Sequence, residues 1–88
     1  MISQRKLALL LDQVMRAKGV PSFADFESLL LALGFHLDRQ TGSHRIYSHA
    51  KLVRPFPVQP AGRDAKRYQV RELRDIVTRH RLSLGNDQ

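Results

Sequence analysis

The chain has 88 residues, of which 42% are hydrophobic, and it contains no cysteine. This length allows one hydrophobic core, so we expect a single domain over residues 1–88. The lack of cysteine excludes disulfides and thiolate metal sites, and no apolar run approaches the roughly 20 residues that span a bilayer. The basic start of the chain is not followed by a small-residue cleavage site, so we expect a cytoplasmic protein with no membrane partner.

The formal net charge is +7, and it is unevenly distributed. The charges of residues 1–38 sum to zero, whereas residues 39–81 contain eleven basic side chains and three acidic ones. A one-sided positive field attracts polyanions. A basic face kept only for solubility is the alternative, but a domain with a pI near 10.9 favours a nucleic-acid partner.

Apolar side chains at helical spacing predict three helices. Ser3 and Ser22 can cap the first two, and Gly34 suits the left-handed position that follows the second. The third is rich in arginine and includes Tyr68 in its apolar face. We expect these helices at about residues 4–17, 23–33 and 67–82.

Between the second and third helices the hydrophobic period changes to two, which predicts three strands. Pro55 and Pro57 lack amide hydrogens on the same side of the third strand, which is typical of an edge strand. We expect strands near residues 35–38, 44–49 and 52–58, a turn at 40–43 and a loop at 60–64.

The element order predicts an α+β fold in which helices cover one face of a three-stranded antiparallel sheet and the other face meets solvent. We divide the chain into an N-terminal helical extension, a core and a flexible tail, at residues 1–21, 22–82 and 83–88. The leucine stripe of the extension leaves three roles open, which are core packing, dimerisation and contact with a partner.

His44 is the strongest candidate for chemistry because it follows a Gly-Ser turn and opens the second strand, at the rim of the sheet. RNA carries its own nucleophile, the 2′-hydroxyl, so cleavage needs only proton transfer by an imidazole and phosphate neutralisation by arginine. A turn histidine without a chemical role is the alternative. Metal-ligand spacing is missing, since His44 and His49 should face opposite sides of a strand.

Basic and polar neighbours are candidates for RNA contacts. In the hairpin these are Arg39, Ser43 and Arg45, and at the start of the third helix they are Lys66, Arg67 and Arg71. A solvated basic face is the alternative for the helix. No aromatic platform for stacking bases is expected.

The other histidines have weaker interpretations. His36 should face solvent and His80 should be half-buried. His49 is a second phosphate contact or a proton-transfer partner.

Two stretches resemble the HicA toxins, namely Leu33–Tyr47 with its Gly-Ser-His turn and Lys66–Ile76 in the final helix. The resemblance covers about residues 22–82. It implies a double-stranded RNA-binding-domain-like fold and a type II toxin, an mRNA interferase that cleaves mRNA without metal or other cofactor. The single catalytic histidine of the family maps onto His44, and the implied partner is a HicB-like antitoxin that covers the active site and represses the shared operon.

Many family members carry His-Pro-Gly after the third strand, where this chain has Gln59-Pro60-Ala61-Gly62, so any role of that histidine is lost. Two rival functions stay open at this point. One is a non-catalytic RNA-binding module of the same fold, and the other is an interaction protein whose basic face meets an acidic partner.

Overall fold

Two helices precede the antiparallel strands and a third helix follows them, as expected, in a computed structural model that describes residues 2–85. A three-stranded sheet has the order β1-β2-β3, and a short hairpin pairs β4 with β5. The elements are α1 (Gln4–Arg16), α2 (Phe23–Ala32), β1 (His36–Thr41), β2 (His44–Ser48), β3 (Phe56–Val58), β4 (Pro60–Ala61), β5 (Asp64–Ala65) and α3 (Arg67–His80).

Side-chain caps begin the first two helices as the sequence predicts. The Ser3 and Ser22 hydroxyls accept the Lys6 and Asp25 amides, both at 3.1 Å, and satisfy donors that have no partner within the helix. The helix α1 ends at Arg16 because the next residue, Ala17, adopts a left-handed conformation with φ 52°.

One hydrophobic core joins all three helices to β2 and β3. The first helix contributes buried Leu10 and Val14, so its leucine stripe packs into the core. Side chains from one face of the sheet meet the helices there. The buried members from α2, the sheet and α3 include Phe26, Leu29, Leu30, Tyr47, Phe56, Val58, Val70 and Leu73.

The predicted strand near residues 35–38 differs from the structure. Phe35 is buried but precedes β1, all six residues of β1 are exposed, and Leu37 is 45% exposed. A bulge between Leu37 and Arg39 shifts the alternation of side chains, and β1 is an edge strand beyond the helices.

The third strand is also shorter than predicted, since it begins at Phe56 and not at Leu52. The Leu52 amide donates to the His49 carbonyl at 3.0 Å and closes a turn, after which Val53 is fully exposed. Its position at the edge of the sheet is confirmed.

The segment 60–64, expected to be a loop, forms most of the hairpin of β4 and β5, which ends at Ala65. Gly62 takes the positive φ of 66° in its turn. The hairpin also bonds to the start of α2, because the Phe23 amide donates to the Arg63 carbonyl at 2.8 Å.

The rotation of α3 differs from the predicted apolar face. Tyr68 is 56% exposed, whereas Gln69 is only 3% exposed. The Gln69 side-chain Nε2 donates to the Pro57 carbonyl at 2.8 Å, and its Oε1 accepts the Gln59 backbone amide at 3.2 Å. These two bonds pair the free edge of β3, so Gln69 faces the sheet and its neighbour Tyr68 faces outward.

The sequence predicted a flexible tail at 83–88. Its first residues contact the rest of the chain, since Leu84 packs against the core and the Gly85 amide donates to the Ala32 carbonyl at 2.8 Å. Residues 86–88 lie outside the described residues.

The fold is α+β and double-stranded RNA-binding-domain-like, with a three-stranded antiparallel sheet followed by a C-terminal helix. This confirms the predicted fold class. None of the helices described between residues 2 and 85 combines the length and apolar character needed to cross a membrane.

Gly34, in the connection from α2 to β1, is a position at which we expect any side chain to destabilise the fold. Its φ is +98°, and a β-carbon there would lie 2.9 Å from His49 Nε2. We expect Gly34→Ala to lower the free energy of unfolding by about 3 kcal/mol, through backbone strain and the displaced ring. Gly42→Ala, at φ +62° with open space around it, should cost about 1 kcal/mol. Urea unfolding measures both, and equal losses would contradict the role of the ring.

Candidate active site and nucleic-acid interface

His44 is the first residue of β2 and lies opposite Thr41, directly after the turn of Gly42 and Ser43. Its side chain is exposed, as is that of Ser43. The sequence expectation of a solvent-open histidine at the rim of the sheet is confirmed. The ring is therefore accessible to a large substrate without any movement of the core.

The face of the sheet that carries His44 points away from the helices. Pairing of Thr41 with His44 and of Arg39 with Ile46 places Arg39 diagonally across from His44 on that same face. Diagonal neighbours in an antiparallel pair lie about 7–8 Å apart, within reach of a long side chain. Arg39 is exposed and is the hairpin arginine that can share a phosphate with the imidazole.

Arg45 lies on the opposite face, toward the helices. Its Nη1 donates to Glu27 Oε1 at 2.7 Å, and its guanidinium lies 5.4 Å from the centroid of the Phe23 ring. The charge that the sequence assigned to RNA is thus paired with a carboxylate of α2. Arg45 joins β2 to α2 and is turned away from His44.

The other oxygen of the same carboxylate accepts the Tyr47 hydroxyl, also at 2.7 Å. Burial of the phenol, followed by its hydrogen bond to Glu27 and the charge of Glu27, raises the pKa of Tyr47 far above its ordinary value, and nearby Arg45 opposes this shift. Glu27 therefore holds two alternate residues of β2 and fixes which face of the strand is outward. His44 lies on the outward face as a consequence.

His49 has a structural position that differs from its predicted roles. The Lys51 amide donates to Nδ1 at 3.0 Å, so Nε2 carries the proton that is donated to the Leu33 carbonyl at 2.9 Å. The ring also meets the Phe35 ring at a centroid distance of 4.9 Å. With both ring nitrogens bonded to the backbone, His49 anchors the end of α2. The prediction that His49 contacts phosphate or transfers a proton is therefore wrong.

The exposure of the remaining two histidines is as predicted. His36 is exposed in β1 and His80 is half-buried at the end of α3. Within residues 2–85, no group of three histidine, aspartate or glutamate side chains is placed to hold a metal ion.

The three basic residues predicted at the start of α3 are brought together. They line a shallow cleft of about 550 Å³, and Tyr68 and Asp64 line it with them. Gln69, which follows Tyr68, bonds to both neighbours of Val58, and Val58 pairs with Arg45 beside His44. The cleft and His44 therefore lie toward the same end of the sheet. The basic residues of the cleft are Lys66, Arg67 and Arg71.

Residues 23–77 match the family model described as the HicA toxin of bacterial toxin–antitoxin. The chain belongs to the HicA toxin family. Membership makes the protein a toxin of a toxin–antitoxin system, with an antitoxin as its partner. No curated protein and no solved structure matches the chain. Helix α1 lies outside the part of the chain that matches the HicA model.

The buried phenol of this HicA protein predicts a loss of stability in alkali. A group whose pKa is raised by folding contributes stability below its unfolded value, about 10 for tyrosine, and loses it as pH rises above that value. From pH 10 upward, the free energy of unfolding should fall with a slope that approaches about 1.4 kcal/mol per pH unit from this group.

Urea unfolding of the wild-type protein and of Tyr47→Phe at pH 8 to 11 measures this contribution. The variant should be less stable at pH 8 because it lacks the bond to Glu27, and its stability should fall less steeply above pH 10. Parallel curves for the two proteins would contradict the assignment to Tyr47.

Proposed function

We propose that this HicA family member is an endoribonuclease that cleaves mRNA with His44 as its single catalytic residue and without a metal ion. The observation that carries the proposal is the exposed imidazole at the start of β2, on the same sheet face as Arg39. Arginine and imidazole together supply what internal cleavage of RNA requires, which is charge neutralisation and proton transfer.

In the proposed reaction, His44 takes the proton of a ribose 2′-hydroxyl while that oxygen attacks the adjacent phosphorus. The bond from O2′ to phosphorus forms and the bond from phosphorus to O5′ breaks. The leaving O5′ takes a proton from the imidazolium or from water. The products are a 2′,3′-cyclic phosphate and a free 5′-hydroxyl, so no external nucleophile is consumed. Histidine is the side chain that most often takes and returns a proton in such reactions.

Arg39 is the proposed partner of the reacting phosphate, with bidentate donors that match its non-bridging oxygens. Ser43 lies in the turn beside His44 and supplies a hydroxyl for the RNA backbone. Lys66, Arg67 and Arg71 extend the positive surface and hold phosphates away from the cleavage point. Arg45 is left out of this set because Glu27 already engages its guanidinium.

The proposed partner is a HicB-like antitoxin that covers the exposed hairpin and excludes RNA from His44. The proposed setting is the cytoplasm, where mRNA is available. The proposed division of the chain is an N-terminal helical extension over residues 1–21 ahead of the RNA-binding core.

One observation favours a second candidate, an RNA-binding module without nuclease activity. Among the hydrogen bonds within residues 2–85, none orients the ring of His44. A general base is often held by a third group, and here the bound RNA itself would have to provide that orientation. RNA that is shifted by the purified protein but never cut would favour this candidate.

His44→Ala should abolish cleavage, with a loss of at least about 10² in rate, because His44 is the imidazole at the turn end of that face and His36 lies at the opposite end. His36→Ala is the matched control, since His36 is exposed on the same hairpin at the far end of β1. Induced expression of the wild-type protein and of the control should arrest growth, while His44→Ala should not.

Cleavage of an end-labelled transcript by the three purified proteins, with EDTA present, gives the direct measurement. The fragments should end in a cyclic phosphate, and RNA with a 2′-deoxy substitution at the cut site should resist. Equal cleavage by His44→Ala and wild type would overturn the catalytic assignment.

Arg39 and Arg45 form a second matched pair, because they lie in one hairpin on opposite faces. Arg39→Gln should lower kcat/KM by about tenfold to a hundredfold, because a charge that stabilises the reacting phosphate is lost. Its free energy of unfolding should stay within about 0.5 kcal/mol of the wild-type value. Arg45→Gln should instead lower the free energy of unfolding by about 2 kcal/mol, because Glu27 loses its charged partner. Cleavage kinetics and urea unfolding measure the two effects. A loss of stability in Arg39→Gln together with a loss of cleavage alone in Arg45→Gln would contradict the faces assigned to these two arginines.

A further inference from the structure

The exposed position of the Tyr68 side chain is not explained by packing of the core. It is 56% exposed, and it is the aromatic residue among the large hydrophobic side chains that are exposed in residues 2–85. The bonds of Gln69 to β3 fix the rotation of α3, so Tyr68 is held outward on a rigid helix. A tyrosine ring presented in this way offers a flat apolar surface at low conformational cost.

Basic side chains share the cleft with this ring. The Lys66 ammonium lies 5.9 Å from the ring centroid, and Arg67 and Arg71 line the same cleft. Asp64 is the acidic residue in the lining, so the three basic groups leave the cleft net positive. An anionic ligand is therefore favoured, and a group bound by Lys66 would lie beside the aromatic surface.

We propose that the cleft binds one unpaired nucleotide of the RNA substrate, with its base stacked on Tyr68 and its flanking phosphates held by Lys66, Arg67 and Arg71. This inference rests on the proposed nuclease function and deepens it, because it specifies single-stranded RNA. A stacking aromatic side chain beside cations is the general arrangement by which proteins hold single strands.

Single-stranded RNA fits the cleft better than a duplex does. Bases within a helix are already stacked on one another, so they cannot also stack on Tyr68 without being extruded. The cleft lies toward the same end of the sheet as His44, through the contacts of Gln69 with β3 and the pairing of β3 with β2. A strand that enters at Tyr68 can therefore continue toward the catalytic histidine.

The test uses the full chain with His44→Ala, so that RNA is bound but not cut. Fluorescence anisotropy measures the Kd for a labelled eight-nucleotide single strand and for a duplex of the same sequence. Adding Tyr68→Ala should weaken single-strand binding about tenfold, in keeping with the loss of one stacked base, and should change duplex binding less than twofold. Adding Tyr68→Phe should preserve single-strand affinity within twofold, because the ring is retained.

Salt dependence separates stacking from charge. Tyr68→Ala should shift the plot of log affinity against log salt in parallel, since no phosphate contact is lost. Arg71→Gln should make the slope shallower by about one. Arg5→Gln, an exposed substitution on α1, is the charge-matched control and should leave the slope unchanged.

Tyrosine emission gives an independent readout of stacking, because the chain has two tyrosines and no tryptophan. Single-stranded RNA should quench the emission of the His44→Ala protein, and the quenching should disappear when Tyr68→Phe is added. Tyr47, which is buried and bonded to Glu27, then remains as the emitter and serves as an internal control.

Two failures can be told apart. Suppose that Tyr68→Ala with His44 intact still cuts RNA, and that adding Tyr68→Ala to the His44→Ala protein changes neither its affinity for the single strand nor the quenching of its tyrosine emission. The stacking proposal is then overturned and the nuclease proposal stands. If the wild-type protein cuts no RNA, the proposed function itself fails. Loss of antitoxin binding in Tyr68→Ala, with unchanged RNA affinity, would overturn the proposal in favour of a protein contact.

Discussion

The carboxylate of Glu27 is the contact on which the candidate site depends. Its two oxygens accept hydrogen bonds from Arg45 and Tyr47, both at 2.7 Å, and so hold alternate residues of β2 against α2. A one-residue slip of β2 would exchange its two faces. That slip would leave a half-buried carboxylate unpaired, which is costly, and would turn His44 toward the helices. Glu27 therefore fixes the outward position of His44 without contacting it.

Gln69 provides the equivalent constraint on the other helix. Its side-chain amide pairs with the Pro57 carbonyl and the Gln59 amide, where a further strand would otherwise be needed. The same two bonds set the rotation of α3 and leave Tyr68 in solvent among cations. The helices α2 and α3 thus each contact the sheet through one polar side chain of defined geometry, and hydrophobic burial supplies most of the stability around these contacts.

The elements with strong periodicity were predictable, and the positions set by distant partners were not. Helical spacing and serine caps gave α1, α2 and α3 within about two residues, and the turn at Gly42 identified His44. Arg39 and Arg45 looked equivalent because both lie near His44 in sequence. They differ because Glu27, 18 residues before Arg45, pairs with one of them. Tyr68 was assigned to the apolar face by its helical spacing, which does not show that Gln69 bonds to β3 and turns the tyrosine outward.

The division of β1 and β2 into an inner and an outer face also separates stability from chemistry. All six residues of β1 are exposed, and the buried side chain of β2 is Tyr47, on the inner face. His44 and Arg39 contribute nothing to the core, so substitutions at either remove a chemical group while the packing that folds the chain stays intact. Loss of the proposed cleavage in such variants can therefore be assigned to the missing imidazole or guanidinium, because Glu27 holds β2 against α2 from its other face and β1 pairs with β2.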